Sequence, residues 1–64
     1  MKTLPLGSEV NCRGYNQWGE YLFTGIIEDY TYRPYHKGEI VTGYKIKKVD
    51  GTFDSVWLRD AELI

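Results

Sequence analysis

The sequence predicts an all-β domain, a single barrel of five short antiparallel strands with one 3₁₀ turn before the last strand. Three observations carry that prediction. Apolar and polar residues alternate over short stretches with the two-residue period of a strand, not the 3.6-residue period of a helix. β-branched and aromatic residues crowd the same stretches, the aromatics alone making up 16% of the 64 residues, and these side chains suit a pleated surface. Between two of the stretches stands Asp50-Gly51, a strong hairpin signal, because a type I′ turn needs positive φ at both central residues.

Each element follows from its residues. Residues 9–13 alternate, with Val10 and Cys12 to one side, and read as the first strand. Gly14, Asn16 and Gly19 are turn formers and make 14–20 a loop that carries Tyr15 and Trp18. Residues 21–32 form the longest β-rich run, with Phe23 and Ile27 on one face and Leu22 and Ile26 on the other. Gly25 inside it predicts a bulge or bend, which a small barrel needs where one strand serves two sheets. Pro34 and Gly38 anchor a second loop over 33–39. In the third strand, 40–49, Tyr44 and Ile46 point one way and Lys45 and Lys47 the other. After the Asp50-Gly51 turn, 52–57 return as the fourth strand. Residues 58–61 are too few for a stable helix and read as a 3₁₀ turn, and 62–64 pair as a short fifth strand. Twisted strands of this number bury one apolar face best by closing into a barrel, which also removes their edges.

The bulk numbers limit the function classes. Sixty-four residues make one domain, expected over 1–64 with 1–7 as an N-terminal arm. A chain this small buries only roughly 60% of its unfolded surface, and such domains lean on disulfides, a metal or self-association. Cys12 is the sole cysteine, so no disulfide forms within the chain and a reducing, cytoplasmic setting is expected. Cys12 and His36 are too few for a zinc centre of about four ligands, and no cofactor is expected. A net charge of −1 speaks against coating nucleic acid by bulk charge, although it leaves room for a local basic stripe. No apolar run suits a signal peptide or a membrane span, so no membrane partner is expected.

Phe23-x-Gly25-x-Ile27 in the second strand, Gly43-Tyr44-x-Ile46 in the third, Asp50-Gly51-Thr52 at the turn, and Val56 to Leu63 across the 3₁₀ turn carry a family resemblance. Over 8–64 the chain resembles the SH3-like small barrels in the broad sense, Tudor and chromo-barrel domains included. That resemblance implies a fold and not a function. The Ala-Leu-Tyr-Asp-Tyr motif of peptide-binding SH3 domains is missing near the start. The strand order is also similar to plasmid-type dihydrofolate reductase, a barrel that works as a tetramer around a central pore. Where that family carries Val-Gln-Ile-Tyr in its fourth strand, this chain reads Phe53-Asp54-Ser55-Val56-Trp57, so reductase activity is not implied.

Two groups of residues stand out as candidate binding sites. Tyr15, Trp18 and Tyr21 lie in or beside the first loop, and Tyr30, Tyr32 and Tyr35 lead into the second. With both loops at one end of a barrel, these aromatics could cage a methylated ammonium, stack a base or hold a proline. The plainer reading is that two or three of them cap the core. Lys45, Lys47 and Lys48 on one strand, with Arg33, His36 and Lys37 before them, form a basic stripe that could follow phosphates. The plainer reading is a solvated strand face or lysines guarding an edge, with Glu28, Asp29 and Glu39 reducing the field.

Catalysis is not expected. Glu28-Asp29 and Asp50 with Asp54 are the only close carboxylate pairs, Cys12 reads as a small core residue, and His36 has no nucleophile partner. No phosphate loop or nucleophile elbow is present. The expected function is therefore a non-enzymatic binding module. A protein partner held by the loop aromatics comes first, suiting a small bacterial or phage regulator or inhibitor. Nucleic acid on the basic stripe comes second, and a homo-oligomer binding a small ligand in a pore comes third. The third rests on Ile26 and Val41, apolar residues one barrel does not bury.

Overall fold

The computed structural model describes residues 3–64. They form five strands, β1 (Glu9–Asn16), β2 (Gly19–Tyr35), β3 (Gly38–Lys48), β4 (Phe53–Trp57) and β5 (Ala61–Leu63), with a 3₁₀ turn over Leu58–Asp60 between the last two. All pairings are antiparallel, in the order β4-β3-β2-β1-β5. β4 and β5 make no ladder with each other, so the sheet is open and not the closed barrel that the sequence predicts. The described residues include no helix long and apolar enough to cross a membrane.

The curl of the sheet comes from β2. Its first part, from Gly19 to Ile26, pairs with β1, and its second, from Gly25 to Tyr35, pairs with β3, so the two ladders overlap only at Gly25 and Ile26. Just past the overlap the register slips at Glu28, and a second slip sets Thr42 of β3 out of register beyond Thr31. Such bulges bend a strand and raise its local twist. The bend expected at Gly25 therefore falls three residues later. What Gly25 does is let β3 approach closely, since a β-carbon there would lie 2.5 Å from Ile46 Cγ2 and 2.6 Å from the Lys47 carbonyl oxygen.

The bend turns one face of the sheet onto itself. Val10 and Cys12 of β1, Ile27 of β2, Tyr44 and Ile46 of β3 and Val56 of β4 are buried together. Leu4, Phe23, Tyr30, Leu58 and Ala61 pack around them. The alternation read in the sequence is kept: Tyr44 and Ile46 are buried, and Lys45 and Lys47 are exposed. The N-terminal arm ties down on the same side. The Leu4 N–H donates to Tyr44 Oη at 3.0 Å, and Tyr30 Oη donates to the Leu4 carbonyl at 2.7 Å.

Both predicted loops are tight hairpins instead. Asn16 pairs with Gly19 and Tyr35 with Gly38, which leaves Gln17-Trp18 and His36-Lys37 as two-residue turns. Asn16 Oδ1 accepts from the Trp18 N–H at 2.9 Å, and His36 takes a φ of 54°, a region that histidine enters more readily than most residues. Pro34 lies within β2 at no loss of a ladder bond. Next to the closing pair of a two-residue hairpin, its nitrogen faces the side of β2 that β1 leaves free.

The third hairpin also departs from the prediction. The Gly51 N–H donates to the Lys48 carbonyl at 3.0 Å, and the Lys48 N–H donates to the Thr52 carbonyl at 2.8 Å. Val49-Asp50 are thus the central residues, and Gly51 follows them with a φ of 86°. Only one positive φ is needed where the type I′ reading asked for two, and Asp50 contributes its side chain, accepting from the Thr52 N–H at 3.0 Å and from Thr52 Oγ1 at 2.6 Å.

Candidate functional site

The two hairpin tips carrying the aromatics lie at opposite ends of the 17-residue β2, because β2 runs unbroken from one turn to the other. The six aromatics therefore do not converge. Three of them make ties within the chain. Tyr15 Oη donates to Asp60 Oδ1 at 3.2 Å, Tyr21 Oη donates to Asp54 Oδ2 at 3.2 Å, and Tyr30 holds the arm as described. The Tyr21 ring lies over Gly14, where a β-carbon would strike it, and packs tilted on Phe23 at 5.7 Å. Trp18, Tyr32 and Tyr35 are exposed; Trp18 is 84% exposed on its turn, and Tyr35 meets the edge of the His36 ring at 4.3 Å.

The basic stripe divides between two faces. Lys48 falls on the inner side with Tyr44 and Ile46, where its ammonium lies 3.5 Å from Asp54 Oδ2 and 5.2 Å from the Phe23 ring. Lys47 faces outward and lies 3.9 Å from Glu28 Oε1. Lys37 stands on the second turn. Arg33 and Lys45 face rings instead of carboxylates. The Arg33 guanidinium lies 5.2 Å from the centre of the Trp57 ring, and the Lys45 ammonium lies 4.5 Å from that of Phe53. Among the described residues, the cations without a carboxylate in ion-pair range are Arg33, Lys37 and Lys45, all on the β2–β3 ribbon.

Phe53 and Trp57 are the residues the sequence reading did not single out. They are half exposed, 50% and 47%, because β4 alternates: Asp54 and Val56 turn inward, and Phe53, Ser55 and Trp57 turn outward. Register then sets Phe53 beside Lys47, Ser55 beside Lys45 and Trp57 beside Gly43. The signal was that alternation, two large aromatics on the face opposite the core-facing Val56 and next to the lysine strand. The result is one outer face on β2–β3–β4 where cations and aromatic rings interleave.

Cys12 and the carboxylates that the sequence set in close pairs each have contacts within the chain. Cys12 is buried, and burial, followed by the negative charges of Asp54 and Asp60, raises its thiol from 9.0 to about 11. It is thus a proton-holding core group at neutral pH and not a thiolate. Asp50, lowered chiefly by its bond from the Thr52 hydroxyl, belongs to the turn. Asp54 belongs to the Tyr21–Lys48 cluster, so these two carboxylates do not act as a pair. Glu28 pairs with Lys47, and Asp29 accepts from the Tyr30 N–H at 2.8 Å. No family model matches the chain, and no curated protein and no solved structure matches it.

Proposed function

We propose that this chain is a non-catalytic binding module and that the outer face of β2–β3–β4 takes single-stranded nucleic acid. The observation that carries the reading is the pairing of Arg33 with Trp57 and Lys45 with Phe53 on one exposed face. Such a face offers both requirements of sequence-tolerant strand binding: cations for the backbone and ring planes for the bases. These cations are held over rings with no carboxylate in ion-pair range, Asp29 standing opposite Lys45 but bonded to the Tyr30 N–H, so phosphates can reach them without breaking an ion pair. The small number of free cations fits the net charge of −1 and implies modest affinity. Two or three phosphate contacts, at about −0.7 each, give a log–log salt slope of about −1.4 to −2.1.

The order β4-β3-β2-β1-β5, with a long β2 shared between two ladders and a 3₁₀ turn before β5, supports an SH3-like barrel as the finer description of the fold. On that description the strand-binding face is the outside of the sheet, away from the core.

The test is an amide titration of the labelled protein with a mixed-sequence single-stranded oligonucleotide at low and then moderate salt. Shifts centred on Arg33, Lys45, Phe53 and Trp57, weakening with the stated slope, are expected. Absence of any shift at low salt in the folded protein sinks the reading. A second reading rests on Trp18, a large ring left bare on a tight turn, which suits a protein partner that buries one aromatic anchor. In that case Trp18→Ala leaves the fold's stability within about 0.5 kcal/mol, as for an exposed surface position; a larger loss places the ring in the fold and removes the anchor.

A further inference from the structure

The outer face of β2–β3–β4 carries a slot. Gly43 stands on the middle strand, in register with Thr31 on one side and Trp57 on the other. Gly43 is a place of close approach: a β-carbon there would run into the Val56 carbonyl and lie 3.0 Å from Thr31 Oγ1, so no side chain stands between Thr31 and Trp57. Beside this row lies a slot of about 320 Å³ bordered by Thr31, Tyr32, Arg33, Thr42, Ser55 and Trp57. That volume is at the small end of ligand sites, roughly 300–1,000 Å³, and suits one ring system.

The border has a consistent chemistry. Trp57 and the Arg33 guanidinium are flat, and both stack on planar groups. The other polar groups are hydroxyls, and the two threonine hydroxyls are weakly engaged with each other. Thr31 Oγ1 and Thr42 Oγ1 are 3.5 Å apart, and Thr42 Oγ1 donates to the Thr31 carbonyl at 3.4 Å, both at the long end of hydrogen-bond range. They are therefore able to turn to a guest. No carboxylate borders the slot. A neutral planar ring with donors and acceptors on its edge fits this border. Lys45 lies two residues along β3 on the same face, roughly 7 Å away, where an adjoining phosphate would fall.

We infer that the slot between Thr31 and Trp57 receives one nucleobase of a single strand, its ring against Trp57 and Arg33 and its edge on the hydroxyls of Thr31, Thr42 and Ser55. The inference rests on the nucleic-acid reading of this face and adds a specific subsite to it. A base paired in a duplex cannot enter, so the slot selects single strands. Serine and threonine hydroxyls serve either donors or acceptors, so preference among the bases is mild.

The experiment uses Trp18→Phe, which leaves Trp57 as the only tryptophan of the two in the chain. Emission is followed at low salt with oligothymidylate, with an abasic deoxyribose-phosphate strand of the same length, and with thymidine monophosphate, while amide shifts at Lys45 report backbone binding. The expected result is quenching of Trp57 by oligothymidylate, and binding of the abasic strand without quenching and about 5- to 150-fold more weakly, the value of one stacked base. Ser55→Val, an exposed strand position made bulkier, is expected to abolish that difference. Equal affinity for both strands with Trp57 unquenched overturns the slot and leaves the phosphate-binding face standing. Binding of neither strand overturns the face and the slot together. Quenching by the mononucleotide with the same midpoint as the strand assigns the slot to free nucleotides and overturns the strand.

Discussion

The Asp60 carboxylate is only 5% exposed, and its closest cation, Arg59 Nε, lies 4.0 Å away on a side chain that is 73% exposed. Tyr15 supplies its side-chain hydrogen bond. Removing the donor from a buried charged acceptor leaves the acceptor's desolvation uncompensated, at about 1–3 kcal/mol. Tyr15→Phe is therefore expected to lower stability by that amount in urea unfolding. An unchanged midpoint would return Tyr15 to the pool of free binding aromatics. Cys12 gives a prediction in pH. Its thiol titrates at about 11 in the folded chain against 9.0 when unperturbed. Below pH 9 both states keep the proton, and between 9 and 11 the unfolded state loses it first. The unfolded state then binds fewer protons, so stability falls as pH rises through that window. Measured against Cys12→Ala, which has no thiol, the parent's advantage should hold steady below pH 9 and shrink from 9 to about 11. A constant difference would mean that the thiol is not held protonated by the fold.

At the scale of elements, the three hairpins separate what a local code states from what it leaves open. Asp50-Gly51 is a hairpin signal, and a hairpin stands there, yet its central pair is Val49-Asp50 because the Lys48 carbonyl takes the Gly51 N–H. Gly51 has a φ of 86° with nothing within 4 Å of where a β-carbon would sit. Gly51→Ala is thus a test of backbone conformation alone and should cost about 1–2 kcal/mol. Gly51→Asn should recover part of that in thermal unfolding, because asparagine tolerates this region better. No recovery would point to a lost contact and not to φ. The other two turns carry no such signal. Gln17-Trp18 and His36-Lys37 are not turn dipeptides, and the nearby Gly14 reads as a loop residue although it lies under the Tyr21 ring inside β1. At the first of them the signal sits on the flanks, where Asn16 accepts from the Trp18 N–H and Gly19 takes a φ of 121°, so residue choice marked the turn without showing how short it is.

At the scale of the molecule, the radius of gyration is 12.0 Å and the extents are 36 × 28 × 20 Å, against about 11 Å for a compact chain of this length. β1 stops pairing with β2 at Ile26, and β4 stops pairing with β3 at Gly43, so the last turn of ribbon is two strands wide and residues 32–40 are all exposed. A two-stranded ribbon is marginal in water. Amide exchange at Arg33, Tyr35 and Ile40 should therefore proceed through a local opening well below the global free energy, while Ile27 and Ile46 exchange only on global unfolding. Equal protection at both sets would mean that the ribbon end is covered in solution. Arg33 is on this ribbon and Trp57 is on β4, so the same exchange measurement reports on one side of the proposed face.

The sequence by itself determined the number and order of the strands, the alternation that buries Val10, Cys12, Ile27, Tyr44 and Ile46, and the 3₁₀ break before the last strand. Those features depend on residue type at a fixed period, which is visible along the chain. It also marked Arg33, Lys37 and Lys45 as cations of interest. Only the tertiary structure decided that the sheet stays open, that Lys48 turns inward to Asp54, and that Tyr15, Tyr21 and Tyr30 make ties within the chain. It alone set Phe53 and Trp57 beside the free cations. These outcomes depend on register across strands and on two bulges, and a single-residue slip exchanges the faces of a strand. Nothing local in the chain fixes such a slip; it is settled by which side chains fit together when the sheet curls.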